Sequence, residues 1–196
     1  YDNLASGAIL NEAREDAELI YAGKRADKHH LRQWETNALL GEKALEGKNV
    51  ARVKGGDPFI FGRGGEEAQE LLKAGVEFEI IPGVSSSYAA PAYAGIPVTH
   101  RDFASSFHVI TGHESADKTG LALDYATLAK EEGTLVFLMG LKNLPHIAEE
   151  LITHGKDPKT PAAVVQAGTT ARQQVVTGVL ESIAETAKQA GIQTPA

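Results

Sequence analysis

The densest group of residues that could carry chemistry lies between positions 54 and 66, where glycines surround an aspartate and an arginine. Gly55, Gly56 and Asp57 follow an apolar run, and Arg63 precedes a predicted helix. In open α/β sheets, ligands bind at the carboxyl ends of strands. The two glycines let the backbone approach a ligand, and Asp57 can accept hydrogen bonds from hydroxyl or ammonium groups. A glycine-rich turn with a capping aspartate is an equally weighted alternative on spacing alone. The glycine order matches neither a dinucleotide fingerprint nor a P-loop.

Three further segments follow predicted strands and offer weaker signals. Ser85 and Ser86 come after Pro-Gly, where hydroxyls and amides can hold a carboxylate or a sugar hydroxyl; taken alone, a helix N-cap is favoured. Met139 can contact a flat ligand, although a core methionine is the alternative. Gly168 repeats the pattern of a glycine at a strand end.

Basic residues gather near several of these strand ends. On an acidic protein such a group is typical of a polyanion site, with a solvated charge run as the alternative. Neighbouring histidines point about 100° apart on a helix, so they do not indicate a metal pair. We predict no metal site. The basic residues concerned are Lys24, Arg25, Lys28, His29, His30, Arg63, His100 and Arg101.

Composition narrows the function classes further. The chain has 196 residues, with 19 Lys and Arg against 26 Asp and Glu, and a net charge of −7. This balance argues against nucleic-acid binding and against an electrostatic membrane anchor. The chain has no cysteine, which excludes disulfides and thiolate chemistry. No apolar run approaches the roughly 18 residues of a membrane span, and no signal peptide is visible.

The apolar pattern predicts an alternation of strands and helices. We therefore expect an α/β fold with a largely parallel sheet. The loop around residues 98–106 is the best domain boundary, which gives domains of residues 1–102 and 103–196. Strands are predicted at residues 19–21, 50–53, 76–80, 107–111, 134–138, 161–165 and 173–176. Helices are predicted at residues 31–46, 66–73, 85–93, 124–130, 144–153 and 180–189.

The motifs together resemble one family. Residues 53–66, which contain GGDPFIFGRG, closely resemble the signature of the uroporphyrinogen-III C-methyltransferases, in the tetrapyrrole methylase family. The resemblance covers essentially the whole chain. Other motifs of the family occur in order: YDNLAS at 1–6, GKR at 23–25, PGVSS at 82–86, GIPVTHR at 95–101, TGH at 111–113 and GTTARQ at 168–173.

This resemblance implies two α/β domains with S-adenosylmethionine in the cleft between them, in a cytoplasmic homodimer without a metal. It implies methylation of uroporphyrinogen III at carbons 2 and 7, which yields precorrin-2 and S-adenosylhomocysteine. Precorrin-2 leads to sirohaem and cobalamin. A methyltransferase for another precorrin and a non-catalytic ligand-binding fragment are the alternatives.

The resemblance also implies roles for individual residues. Asp2 matches the proposed proton acceptor and Lys24 the proposed donor. Arg63 gains a purpose in binding the carboxylates of the substrate. The positions that match cofactor contacts are Gly55, Gly56, Asp57, Ile60, Ser85, Ser86, Met139, Gly168, Pro195 and Ala196.

The chain departs from the family pattern at both ends. Its only methionine is Met139, and it begins at Tyr1. Members of the family have a first strand and a Gly-x-Gly-Pro-Gly-Asp loop before the Tyr-Asp motif, and a final strand after the last motif. Neither has a counterpart here, so we expect an incomplete catalytic unit that binds the cofactor poorly.

Overall fold

The computed structural model describes residues 1–5, 7–23, 31–113 and 123–196. The chain divides into two compact units, an N-terminal unit of Tyr1–Ser85 and a C-terminal unit of Ser86–Ala196. The domain bounds expected from the sequence, with a boundary after residue 102, stay a prediction. None of the described helices is long and apolar enough to cross a membrane.

The described part of the N-terminal unit contains helices and irregular segments. Its helices are α1 (Gly7–Leu10), α2 (Gln33–Leu45) and α3 (Gly64–Lys73). The strands predicted at residues 19–21, 50–53 and 76–80 were wrong, because a strand exists only where its backbone joins a ladder. None of these segments forms a ladder with another described segment.

A single short pairing replaces the first of those strands. The nitrogen of Tyr1 donates to the carbonyl of Ile20 at 3.0 Å, and the amide of Ala22 donates to the carbonyl of Tyr1 at 2.8 Å. This pattern resembles one step of a parallel ladder. It attaches the start of the chain to the segment after α1.

The side chains buried in the N-terminal unit are polar. In its described part, the buried side chains are those of Thr36, Glu67 and Ser85. Trp34 and Leu45, two large apolar residues of α2, are 63% and 69% exposed. Helix α2 packs against α3, but polar contacts rather than an apolar core fill the buried positions.

The C-terminal unit contains the strands. Its elements in order are α4 (Ser86–Tyr93), β1 (Phe107–Thr111), α5 (Tyr125–Leu128), β2 (Thr134–Leu138), α6 (Leu144–Thr153), β3 (Pro161–Gln166), β4 (Gln174–Val179) and α7 (Ile183–Gln189). A 3-10 turn, Leu141–Asn143, precedes α6. The α/β fold class predicted from the sequence is confirmed.

The observed strands form one parallel and one antiparallel pair, whereas the sequence predicted a largely parallel sheet. Strand β1 pairs with β2 in parallel, from Phe107 opposite Thr134 to Thr111 opposite Leu138. Strand β3 pairs with β4 antiparallel, as a separate two-stranded sheet. The prediction of a largely parallel sheet was therefore wrong for the second pair. Only seven residues separate β3 from β4, and a connection this short suits a hairpin rather than a crossover.

Apolar packing stabilises the C-terminal unit. Ile147, Ala148 and Leu151 of α6 recur at helical spacing and are between 3% and 6% exposed. They pack in one cluster with Tyr125 and Leu180. This core fixes α6 beside the strands, so the loops that follow β1 and β2 have a rigid base.

Candidate active site

Asp57 ties together two of the segments predicted to bind a ligand. Its Oδ1 accepts a hydrogen bond from the amide of Phe59 at 2.8 Å, within its own loop. Its Oδ2 accepts one from the amide of Gly83 at 3.0 Å, 26 residues further along. The structure therefore brings residues 55–57 and 82–84 together, and Ser85 follows them with only 3% exposure.

Gly83 makes this approach possible. A Cβ atom at Gly83 would lie 2.1 Å from the carbonyl oxygen of Gly56, a distance that no side chain can accept. Glycine is therefore needed for two backbones to come this close.

The contacts of Asp57 favour its ionised form. The amide of Gly83, and then that of Phe59, lower the pKa of the Asp57 carboxyl below its ordinary value. The amide of Ile60 lowers the pKa further by a smaller amount. Two carboxylate oxygens offer about four lone pairs, so acceptor capacity remains beyond these three amides. Asp57 can therefore still accept from a hydroxyl or ammonium group while it holds the loops.

The loop between Asp57 and α3 presents Arg63 to solvent. Arg63 has a left-handed backbone, with φ at 59°, and directly precedes α3. Its Nε and Nη2 donate to the two carboxylate oxygens of Glu66 at 2.8 and 2.7 Å. These hydrogen bonds raise the pKa of Arg63. Nη1 remains for a further carboxylate, since the described residues give it no partner. Ile60, in the same loop, is 43% exposed.

The turn that begins at Asp2 lies against Gly55, at the start of the glycine loop. Oδ1 of Asp2 accepts from the amides of Leu4 and Ala5 at 3.1 and 3.2 Å, and its Oδ2 accepts from Nη2 of Arg52 at 3.3 Å. The carbonyl of Leu4 would be 2.6 Å from a Cβ placed on Gly55. The proposed proton acceptor and the glycine loop are therefore neighbours within the N-terminal unit.

A buried carboxylate organises the cations around this loop. The side chain of Glu67 is 6% exposed. Nε of Arg52 lies 3.1 Å from its Oε1, and Nζ of Lys54 lies 3.0 Å from both carboxylate oxygens. Nε2 of Gln33 donates to Oε1 at 3.2 Å. Asp2, Arg52, Glu67 and Lys54 thus alternate in sign.

Arg52 and Glu67 were missed from the sequence. A signal was present, because Arg52 and Lys54 stand two apart in an otherwise apolar run, which puts both on one side of an extended segment. Glu67 lies one turn into α3. Nothing in the spacing linked that carboxylate to these cations.

In the C-terminal unit, Met139 and Gly168 both follow strands, as predicted. Met139 comes directly after β2, has φ at 59° and is 53% exposed. Gly168 packs against α4, since a Cβ there would lie 2.4 Å from the Cβ of Ala90. A larger residue at 168 would displace α4 or the loop after β3.

The end of the chain joins the same loop. The amide of Ala167 donates to the carbonyl of Pro195 at 2.9 Å, so Pro195 is brought to the loop of Gly168. Ala196 follows it and is half-buried. Ser86 is exposed at the first position of α4.

Several predicted residues fall beyond the ranges given above. Lys24, the proposed proton donor, lies outside the described residues, as do Arg25, Lys28, His29 and His30. Among the described residues, no group of three or more His, Asp or Glu side chains is placed to hold a metal ion.

The sequence of this chain is similar to those of known proteins. Residues 1–184 match the family described as Tetrapyrrole (Corrin/Porphyrin) Methylases. The chain belongs to the tetrapyrrole methylase family. The match covers both units, so the glycine loop of the first and the strand-end loops of the second belong to one family pattern.

Two curated relatives and one solved structure are similar along the whole chain. A protein of Methanosarcina barkeri named S-adenosyl-L-methionine-dependent uroporphyrinogen III methyltransferase is 52% identical over 196 residues, which span 77% of it. The uroporphyrinogen-III C-methyltransferase of Bacillus subtilis is 50% identical, and the chain spans 41% of its length. A Thermus thermophilus uroporphyrin-III C-methyl transferase, crystallised with S-adenosyl homocysteine, is 34% identical with a TM-score of 0.77 over 80% of that chain.

The residues of the glycine loop suit a cofactor of this type. The ionised carboxylate of Asp57 keeps acceptor capacity, and Gly56 is exposed without a side chain. Such a surface can accept from ribose hydroxyls or an ammonium group and lets a flat ring lie on the backbone. The acceptor groups and the bare backbone of this loop therefore fit S-adenosylmethionine.

Removal of the buried charge of Glu67 should destabilise the N-terminal unit strongly. Glu67→Gln leaves Lys54 without a carboxylate partner and Arg52 with that of Asp2 alone. Removal of one partner from a buried ion pair typically costs roughly 3–5 kcal/mol of unfolding free energy. Glu70→Gln on the same helix breaks only an exposed pair with Lys73 and should cost about 0–1 kcal/mol. Chemical denaturation measures both, and equal losses would contradict the importance of the network.

Asp57 should make stability depend on pH in the acid range. Because its pKa is lowered in the folded protein, it stabilises the fold above its ordinary value of about 3.9, and this contribution is lost as the pH falls through the lowered value. Asp57→Asn should therefore lower the melting temperature at neutral pH and converge with the parent protein in acid. Asp16→Asn, at an exposed pair with Arg14, controls for the lost charge. A constant difference at all pH values would oppose this role.

Proposed function

We propose that this chain carries out the S-adenosylmethionine-dependent C-methylation of uroporphyrinogen III at carbons 2 and 7, which gives precorrin-2. The observation that supports this most is the 52% identity, along the entire chain, to a relative with that cofactor and substrate in its name. The glycine loop held by Asp57 gives the cofactor a suitable surface. Precorrin-2 then serves the synthesis of sirohaem and cobalamin.

The chemistry asks the protein mainly for alignment. S-adenosylmethionine supplies a methyl group that is already activated by the sulfonium charge. A pyrrole carbon uses its π electrons to form the new C–C bond, while the electrons of the broken C–S bond stay on sulfur. The protein contributes by holding the carbon in line with the methyl group. The segments proposed to bind the cofactor contain glycines, and two of these, Gly83 and Gly168, pack closely against neighbouring segments.

The carboxylate of Asp2 acts on the ring after this bond forms. Methylation leaves positive charge on the pyrrole, and an ionised carboxylate stabilises it. Loss of a proton from the ring restores neutrality, and Asp2 accepts that proton. Lys24 completes this part of the proposal as the proton donor.

Basic side chains bind the polycarboxylate substrate. Arg63 keeps Nη1 beyond its pair with Glu66, so it can hold a substrate carboxylate without losing its anchor. A homodimer in the cytoplasm, as the resemblance implies, is part of the same proposal. The cofactor-binding residues are Gly55, Gly56, Asp57, Ile60, Ser85, Ser86, Met139, Gly168, Pro195 and Ala196.

Methyl transfer tests the proposal directly. Protein expressed from the complete open reading frame that carries this sequence is incubated with S-adenosylmethionine and uroporphyrinogen III. Mass spectrometry should find two added methyl groups. Methylation of a later precorrin only would favour the first alternative. Absence of both turnover and S-adenosylhomocysteine binding in calorimetry would favour a non-catalytic fragment.

Asp2 should affect turnover far more than cofactor binding. Asp2→Asn keeps the shape of the side chain but removes its charge and basicity, so kcat should fall by roughly 10²–10⁴-fold. The Kd for S-adenosylhomocysteine should stay within about twofold, because the residue acts on the substrate. Asp16→Asn is the matched control. Equal losses in kcat and affinity would contradict this role.

A further inference from the structure

The orientation of the Asp2 carboxylate is set by three donors. Two backbone amides, of Leu4 and Ala5, occupy Oδ1. A carboxylate oxygen offers two lone pairs, so Oδ1 is already saturated. Oδ2 receives one hydrogen bond from the described residues, that of Arg52. Its remaining lone pair is therefore the place where a proton can be accepted.

Arg52 is itself fixed by three contacts. Nε donates to Oε1 of Glu67 at 3.1 Å, Nη1 to the carbonyl of Val53 at 2.9 Å, and Nη2 to Oδ2 of Asp2. The guanidinium is planar, so two fixed nitrogens determine where the third points. Its side chain is 17% exposed and that of Asp2 is 24% exposed, which limits the freedom of both.

Because Lys54 pairs with Glu67, the charge of Arg52 is available to Asp2. The two carboxylates and two cations of this group sum to zero charge. Lys54 lies 3.0 Å from both oxygens of Glu67 and can neutralise that carboxylate by itself. The charge of Arg52 is therefore not required to neutralise Glu67. Glu67 anchors it, and its Nη2 is available to hold Asp2.

We propose that Arg52 is a positioning residue for the methyl transfer, which directs Oδ2 of Asp2 toward the substrate. This inference rests on the function proposed above and on the role of Asp2 in it. Arg52 does not touch the reacting atoms. It determines which oxygen of Asp2 acts and where that oxygen lies, and a displacement of about 1 Å at a reacting group can cost roughly 10²-fold in rate.

A double-mutant cycle in the protein from the complete open reading frame tests the proposal. The variants are Arg52→Gln, Asp2→Asn and the combination, and kcat is measured by transfer of labelled methyl to uroporphyrinogen III. Arg52→Gln should lower kcat roughly 10²-fold with Asp2 present and less than about threefold in the Asp2→Asn background, because residues that act through one another are not additive. The Kd for S-adenosylhomocysteine should not change.

Two further variants separate positioning from folding. Lys43→Gln removes a cation of the same unit that pairs with Glu18, and it should leave kcat unchanged. Arg52→Lys keeps a charge beside Glu67 and so keeps the fold, but one ammonium cannot make the three contacts. It should therefore lose activity in the same background-dependent way. This variant decides the matter if Arg52→Gln does not fold.

The outcomes distinguish the two proposals. An equal loss of kcat from Arg52→Gln in both backgrounds would mean a structural role and would overturn the positioning proposal alone. Full activity in Arg52→Lys would overturn it as well, since charge without the fork would then suffice. Unchanged kcat in Asp2→Asn would remove Asp2 from the proposed mechanism. Absence of methyl transfer by the parent protein would overturn the proposed function itself.

Discussion

The N-terminal unit depends on one buried carboxylate. Glu67 sits at 5% exposure in a unit whose described part buries no apolar side chain, and an ion so placed is stable only with its partners in contact. Arg52 and Lys54 supply them from one segment, which fixes α3 against residues 52–54. Those residues lead directly into Gly55, so the position of the glycine loop follows from the ion pairs. The turn at Asp2 follows in the same way through Arg52.

Asp57 shows how a residue can serve the fold and the site together. Its two oxygens hold two backbone amides from separate loops, so the loops proposed to bind the cofactor are held together without an apolar core beneath them. The same bonds keep the carboxylate ionised, which suits it to accept from cofactor hydroxyls. In the proposed function, cofactor binding and fold stability therefore depend on the same carboxylate. In the C-terminal unit, by contrast, Leu135 and Phe137 of β2 pack on the apolar cluster that contains Ile147 and Leu151, and Met139 directly follows this strand.

The sequence predicted local features better than long-range pairing. The helices that became α2, α3 and α6 show clear periodicity and stop signals, and the two parallel strands are short apolar runs. The strands expected before residue 85 failed because an extended run needs a ladder partner, which no local pattern specifies. The motif Gly55–Asp57 could be singled out because its order is distinctive, and its role in binding stays a prediction. Arg52 and Glu67 were missed because an ion pair across 15 residues depends on how α3 folds back.

The close packing of Gly168 on Ala90 has a consequence for how this protein can change. Two backbones in contact leave room for one methyl group, so volume at the two positions is shared between a loop and a helix. Any redesign of the strand-end loop therefore has to begin on α4, with a smaller residue at position 90. A larger residue at position 168 fits only after position 90 has become smaller, so a substitution scan made one position at a time would report position 168 as intolerant.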